Sequence, residues 1–333
     1  MSAQRGLRMA LLGATGLLGR EILSLLELRK LPITQLLVYA SEQGEGAEIE
    51  FRGELEYARR LDADEVAGCD LVLCAAPGVL AELLPALEAA DTRVIDCSGV
   101  LEADPSSPLV LPDAPPAGRR VAVPRGIVAG LGWALSVLSA HVELTRISLT
   151  TLEPAAGAGR EGVDELMVQT IETLQMSGES DEEESWAFPQ RLAFDCLPLV
   201  GELDSAGETT EESALRDVLR RLLASPSLPI EITRIRVPTL SGSMASVHVS
   251  LGRSLTPERA AEIWRDSPAL YVLEPGALPT PRGAIENEGA LIGRIRPGRE
   301  DAPALAFVLA MDDVRLGTAA VAVAAAERIL ANE

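Results

Sequence analysis

Gly13-Ala14-Thr15-Gly16-Leu17-Leu18-Gly19 stands between an apolar run at residues 7–12 and a stretch, residues 20–28, whose apolar positions recur at helical spacing. The first flank reads as a buried strand and the second as a helix. A glycine-rich turn between strand and helix lets the backbone approach a pyrophosphate, which the N–H groups of the helix N-terminus then face. The spacing is G-x-x-G-x-x-G rather than G-x-G-x-x-G, and glycines in such turns also serve tight strand–helix packing. Read as a dinucleotide site, the turn makes Gly13, Thr15, Gly16, Leu17 and Leu18 its candidate cofactor contacts.

A chain of 333 residues is long enough for two domains. Apolar residues make up 47% of it and aromatics only 3%, so the cores are built from Ala, Leu and Val. The net charge of -21 argues against nucleic acid and against anionic membrane surfaces, both of which need an excess of Lys and Arg. No stretch reaches membrane-spanning length without a charge, Gly or Pro. The short N-terminal apolar run flows straight into the glycine turn and does not read as a signal peptide. Cys69, Cys74, Cys97 and Cys196 show no C-x-x-C spacing, and with only His141 and His248 beside them no metal site is expected. They read as reduced thiols of a cytoplasmic protein.

Along the chain, residues 35–41 read as a second strand, 48–57 as an added strand pair, 71–75 as a buried strand, 81–90 as a helix and 93–96 as another strand. Residues 121–123 follow a proline-rich loop at 104–116. This alternation predicts a Rossmann-type, doubly wound parallel sheet. Residues 127–140 form a helix that is apolar nearly all round and therefore buried. A second domain opens at 145–152, with a turn at 157–159, a helix at 162–176 and an acidic, solvated loop at 177–185. It continues with a helix at 211–223 capped by Thr209 or Thr210. Residues 230–238 and 246–251 read as antiparallel strands, 257–266 as a helix with Pro at its start, and 291–296 and 304–310 as strands. A single Ala-rich helix is expected over 314–331.

Several stretches together resemble the aspartate-semialdehyde dehydrogenases. They are the glycine turn with Arg20-Glu21, then Val94-Ile95-Asp96-Cys97-Ser98, Arg236-Val237-Pro238, Gly293-Arg294-Ile295-Arg296 and the segment Asp312-Asp313-Val314-Arg315-Leu316-Gly317-Thr318-Ala319-Ala320. The resemblance runs in family order over nearly the whole chain. It implies a dinucleotide-binding domain over 1–126, completed by the helix over 314–333. It also implies an inserted α/β domain over 127–313, whose large mixed sheet makes a homodimer. Members of the family reduce aspartyl phosphate with NADPH, in amino-acid biosynthesis, through a cysteine thioester.

The family's working residues are largely absent here. Gly126 stands at the cysteine position and cannot form a thioester. Ser243 stands at the position of the acid/base histidine and has a pKa far from neutral. Glu153 replaces a substrate-orienting glutamine, Glu102 replaces a phosphate-binding arginine and would repel a phosphate, and Ala214 or a neighbour replaces a lysine. Asp313 takes the place of an asparagine near the nicotinamide. Only Arg236, which holds the substrate carboxylate in the family, is retained. Where the family grips the 2′-phosphate of NADP, the sequence is Ala40-Ser41-Glu42-Gln43-Gly44. Ser41 and Glu42 suit a free ribose hydroxyl, which favours NAD over NADP. The pattern resembles the Usg-type branch of dehydrogenase-like proteins, with fold and dimer kept and chemistry lost. The alternative is an aldehyde or oxo-group oxidoreductase of altered mechanism.

Two residues keep two readings each. Cys97, at a strand end, is either a displaced nucleophile or a small apolar filler. Arg236 either holds a small anionic ligand or pairs with Glu153. Cys69, Cys74 and Cys196 read as core, His248 as a solvated or interface position, and His141 as a helix C-terminal cap. A short-chain dehydrogenase, which shares the glycine turn, requires Tyr-x-x-x-Lys. Tyr39, Tyr57 and Tyr271 are followed at that spacing by Gln43, Leu61 and Pro275.

Overall fold

The computed structural model describes residues 7–112, 118–175, 185–285, 287–299 and 302–331. The chain forms two compact units, one of Met1–Arg125 with Gly317–Glu333 and the other of Gly126–Leu316.

In the first unit the chain runs β1 (Leu7–Leu12), α1 (Leu17–Leu28), β2 (Ile33–Tyr39), β3 (Glu48–Phe51), β4 (Glu54–Tyr57), α2 (Ala63–Ala67), β5 (Leu71–Cys74), α3 (Val79–Ala89), β6 (Arg93–Asp96), α4 (Val100–Ala103) and β7 (Arg120–Ala122). Five strands form a parallel sheet in the order β2-β1-β5-β6-β7. The order reverses direction beside β1, and the glycine turn leaves the C-terminal end of that strand, the place where such sheets bind ligands. β5 is buried at every position because both faces of the sheet are covered. On one face Met9, Leu11, Leu73 and Ile95 pack with Ala322, Ala325, Ala326 and Ile329 of the C-terminal helix, Val321–Ala331. On the other, Ala10, Leu12, Val72 and Val94 pack against Leu80, Leu83 and Leu87 of α3. β3 and β4 pair only with each other.

The second unit contains α5 (Ile127–Ser139), β8 (Leu144–Glu153), α6 (Gly159–Gln175), α7 (Thr210–Leu222), β9 (Ile230–Arg236), β10 (Ser243–Leu251), α8 (Pro257–Arg265), β11 (Leu270–Val272), α9 (Pro281–Ala284), β12 (Ala290–Pro297) and β13 (Ala304–Met311). Its six-stranded mixed sheet has the order β11-β12-β13-β10-β8-β9. α5 is buried from Ile127 through Leu135. Trp264 Nε1 of α8 donates to the Ala134 carbonyl at 2.9 Å, and its ring lies 4.8 Å from that of Phe307. Thr209 caps α7 in a reciprocal box with Glu212.

Three expectations are corrected. β9 and β10 run antiparallel, as expected, but do not pair, because β8 lies between them, parallel to β9 and antiparallel to β10. Local strand patterning cannot see that a distant strand inserts between two consecutive ones. The helix expected from residue 314 does not begin there. Asp312 Oδ1 accepts from the Val314 and Arg315 N–H groups at 3.0 and 2.9 Å, and π-helical turns over Arg315–Ala320 precede the α-helix. Cys196 is exposed, not core. The backbone turns at Phe194, whose φ is +63° and whose side chain is exposed, so apolar composition there does not mean burial. Most of the acidic stretch at 177–185 lies outside the described residues.

Candidate functional site

The glycine turn of the first unit is fixed by close backbone approach. Gly13 has φ +83°, and a Cβ there would lie 3.0 Å from the Ala76 nitrogen. A Cβ on Gly19 would collide with the Gly13 carbonyl oxygen. The Gly13 and Ala14 N–H groups donate to the Tyr39 carbonyl at 2.9 and 3.0 Å. α1 therefore starts tight against the turn, and no side chain caps its N-terminus at Gly16. Thr15 Oγ1 lies 3.0 Å from the point a Cβ of Gly44 would occupy, so the turn touches the loop that holds Ser41 and Glu42. Glu42 points to solvent and pairs with the equally exposed Arg60 at 2.9 Å. An exposed pair of this kind contributes at most about 1 kcal/mol.

At the end of β6, Asp96 is fully buried and well satisfied. Oδ1 accepts from the Ser98 N–H and hydroxyl at 2.7 and 2.6 Å, and Oδ2 accepts from the Leu101 N–H at 2.7 Å. Burial pushes the adjacent Cys97 thiol well above its usual range, with the Asp96 charge adding to the shift. A fully buried thiol shifted in this direction is a poor nucleophile. Cys74 is similarly raised by burial, to about 11. Glu102 is buried, but it is not the bare repulsive charge expected. It accepts from the Arg125 N–H at 3.0 Å and lies 3.6 Å from Arg125 Nε. The Arg125 guanidinium in turn covers Gly99, where a Cβ would sit 2.5 Å from Cζ.

In the second unit the sheet gathers the remaining candidates. Register pairs Glu153 at the end of β8 with Arg236 at the end of β9. It also pairs Ser243, the first residue of β10, with Met311, the last of β13, so the segment leaving β13 brings Asp312 and Asp313 to the same edge. Gly126 opens α5 with φ +54°, and a Cβ there would meet only Asp313 Oδ1, at 3.7 Å. Gly126, Glu153, Arg236, Ser243 and Asp313 thus converge.

Glu153 does pair with an arginine, but with Arg234 rather than Arg236. Arg234 Nε and Nη2 reach Glu153 Oε1 and Oε2 at 2.6 and 2.8 Å, and the Thr151 hydroxyl donates to Oε1 at 2.7 Å. Burial alone would raise the Glu153 carboxyl, but the Arg234 bonds and charge outweigh it and hold the carboxyl below its usual range. Arg234 Nη1 continues to the Glu211 carboxylate at 3.2 Å, and the Arg234 N–H donates to Glu212 at 3.0 Å. Arg236 Nη1 instead donates to the Pro154 carbonyl at 2.7 Å, and its guanidinium fills the space beside Gly157. Burial, together with the Arg234 charge, lowers the Arg236 pKa.

Asp313 is the perturbed acid of the cluster. Burial pushes its carboxyl up to about 7. The Glu153 and Asp312 charges add to that shift, while a Ser243 hydrogen bond and the Arg236 charge oppose it. The residue keeps partial exposure, but Oδ2 is sealed from solvent and has no hydrogen-bond partner.

Sequence reading missed Arg234, Thr151, Glu211 and Glu212 as members of this cluster. A signal existed: Arg234 and Arg236 alternate along one strand and so share a face. Ala214 is exposed on α7. His141 Nδ1 lies 3.1 Å from the Val137 carbonyl at the end of α5, and His248 is exposed on β10. Among the described residues no helix is long and apolar enough to cross a membrane, and no group of three His, Cys, Asp or Glu side chains is placed to hold a metal.

The chain matches two family models, "Semialdehyde dehydrogenase, NAD binding domain" over residues 8–118 and "Semialdehyde dehydrogenase, dimerisation domain" over residues 135–316. It is 28% identical to the aspartate-semialdehyde dehydrogenase of Aquifex aeolicus, over 98% of each chain. It is 32% identical to the USG-1 protein homolog of Azotobacter vinelandii, over 96% of this chain and 97% of that one. The crystal structure of aspartate semialdehyde dehydrogenase II from Vibrio cholerae superposes with a TM-score of 0.92 at 27% identity, covering 98% of this chain and 99% of that one. On sequence, fold and the order of its elements, the chain belongs to the aspartate-semialdehyde dehydrogenase family.

Proposed function

We propose that this protein is a cytoplasmic, homodimeric, dehydrogenase-like binding protein that does not perform the phosphorylating dehydrogenase reaction. The observation that carries this reading is the convergence of Gly126 and Ser243 on Asp313. They occupy the positions where the family resemblance implies a thiolate and a histidine. Without a nucleophile the covalent route cannot start, and a lost acid/base group removes a further two to four orders of magnitude, roughly. Cys97 is a poor substitute, because its thiol is buried and shifted upward. The ion pair of Glu153 with Arg234 supports the same reading, since a side chain engaged within the protein is not available to orient a substrate.

The first unit, with the C-terminal helix, is assigned to dinucleotide binding, and the second to ligand binding and dimerisation. The glycine turn fits a dinucleotide: its backbone is bare at Gly13 and Gly16, and no side chain blocks the start of α1. Gly13, Thr15, Gly16, Leu17 and Leu18 would hold the pyrophosphate, and Ser41 and Glu42 the adenosine ribose. When bound, a nicotinamide supplies a hydride acceptor or donor. Glu42 favours a free 2′-hydroxyl over a 2′-phosphate, hence NAD over NADP.

The test compares wild type with Gly126→Cys, Ser243→His and the double variant, each assayed with aspartate semialdehyde, phosphate and either cofactor, beside titration calorimetry of NAD and NADP. No phosphate-dependent turnover is expected from the wild type or from either single variant, because nucleophile and base act as a unit. NAD is expected to bind more tightly than NADP. Robust wild-type turnover, or clearly tighter NADP binding, would overturn the corresponding part of the reading.

A further inference from the structure

The mixed sheet of the second unit has two faces. On one, Phe307 of β13 packs against Trp264 of α8, and Val247 of β10 stands opposite Phe307 and is buried with it. Ser243 shares that face, because side chains along a strand alternate with a period of two. The adjacent residues His248 and Ala306 therefore point to the other face. There His248 of β10 and Arg296 of β12 both stand opposite Ala306 of β13, so a histidine, an alanine and an arginine form one row across three strands. Neighbouring strands lie about 4.8 Å apart, which roots the two outer residues about 10 Å from each other. A cavity of about 460 Å³ lies over this row, and Arg299 lines it too.

A bulge in β12 makes the row. Gly293 pairs with Val308 and Arg296 with Ala306, so β12 advances three residues while β13 advances two. Without the extra residue, Ile295 would stand opposite Ala306 and the row would carry one basic side chain fewer. The extra residue is taken up at Arg294, whose φ of +50° is a conformation that side chains other than glycine adopt at a cost. The Arg294 carbonyl in turn accepts from Arg296 Nη1 at 3.1 Å, which steadies that guanidinium. Past the strand end, the Gly298 N–H donates to the Ala304 carbonyl at 2.8 Å, and a Cβ on Gly298 would collide with Ala304. The connection to β13 thus closes tightly and sets Arg299 against the same cavity. Bulges recur where a strand must re-aim a side chain beside a site.

We propose that His248, Arg296 and Arg299 form a binding site for the phosphoryl group of a small phosphorylated metabolite, separate from the glycine turn and from the cluster at Asp313. In a chain of net charge -21, the described residues that line this cavity include no carboxylate. Its floor is small, at Ala304 and Ala306, so an anion can reach the donors around it. A carboxylate presents two oxygens in one plane and is satisfied by a single guanidinium fork. Two guanidinium groups and an imidazole, set on different sides of one cavity, match the three outward oxygens of a phosphoryl group instead. The volume lies in the range of small-molecule sites and exceeds what bare phosphate fills. The remaining space over Ala304 and Leu305 suits a short organic body.

The experiment is titration calorimetry of glycerol 3-phosphate, inorganic phosphate and acetate into the full-length protein at low ionic strength. Wild type is expected to bind both phosphates saturably and acetate at least tenfold more weakly. Arg296→Gln and Arg299→Gln are each expected to weaken both phosphates at least tenfold. Ala306→Val, which keeps every charge and narrows the cavity, is expected to weaken glycerol 3-phosphate by a similar factor. Arg299 is exposed in the connection after β12, so its variant decides the matter even if the sheet does not tolerate the other two. The glycine turn can also hold a phosphate and is untouched by these changes. Affinity that survives all the variants that fold therefore belongs to the turn and overturns the proposal, as does a wild type that binds neither phosphate. Acetate bound as tightly as phosphate overturns the phosphoryl class, and phosphate bound with glycerol 3-phosphate excluded overturns the metabolite. NAD affinity is expected to be the same in all variants, so a failure here leaves the proposed function to be judged by its own test.

Discussion

Two aspartates divide this molecule by how their charge is treated. Asp96, at the end of β6, receives three hydrogen bonds from a serine and a backbone N–H that follow it within five residues. Asp313, after β13, receives one from Ser243, leaves Oδ2 without a partner and titrates near 7. Asp96 is the last residue of its strand, and Asp313 lies two residues beyond the end of its own. One stabilises a turn, and the other stands where chain segments distant in sequence meet. The difference teaches that local donors can make a buried carboxylate a structural part, whereas a carboxylate dependent on distant neighbours stays responsive to protons and ligands.

The most severe way to break the comparison is to disturb the cluster around Asp313. Glu153→Ala strips the bidentate carboxylate from Arg234, a buried cation that also pairs with the partly exposed Glu211. A loss of about 3–5 kcal/mol is expected, measured by the shift of the urea midpoint. A loss below 1 kcal/mol would mean that Arg234 reaches solvent.

Next in size is a gain. The Asp313 carboxyl rises from its ordinary 3.8 to about 7 on folding, so the native state binds its proton more tightly than the unfolded chain does. Its contribution therefore makes stability fall as pH rises from about 4 to 7, and stay down above 7. Asp313→Asn removes that loss. The variant is expected to be more stable than wild type at pH 8, by at most about 4 kcal/mol, and equal to it near pH 4. Denaturation curves at both pH values check this, and a variant less stable at pH 8 contradicts it.

The smallest effect sharpens the other side. Asp96→Asn turns one acceptor oxygen into a donor facing an N–H group or the Ser98 hydroxyl, so a loss of about 1–3 kcal/mol is expected. The same pair of denaturation curves measures it.

The parallel sheet was legible because its strands are short apolar runs separated by helices and turns, and burial on both faces leaves no alternation to misread. Gly13 and Gly19 were legible as a turn because a side chain does not fit where backbone meets backbone. The second sheet was less so. Its strands could be recognised one by one, but their order could not, since β8 pairs with two strands that follow it by more than 75 residues. Arg236 and Glu153 were both singled out, yet the ion pair formed with Arg234, two residues away on the same strand face.

The sequence by itself determined the fold class and the residue type at each position, a glycine at 126 among them. These follow from local spacing and residue type, which no packing can alter. Only the tertiary structure decided which arginine neutralises Glu153, that Arg125 accompanies Glu102, that Cys196 is exposed while Cys97 is sealed, and that Asp313 keeps an unsatisfied oxygen. Charge pairing and desolvation depend on distances of a few ångströms between chain segments far apart in sequence, and those distances exist only once the sheet has set its register.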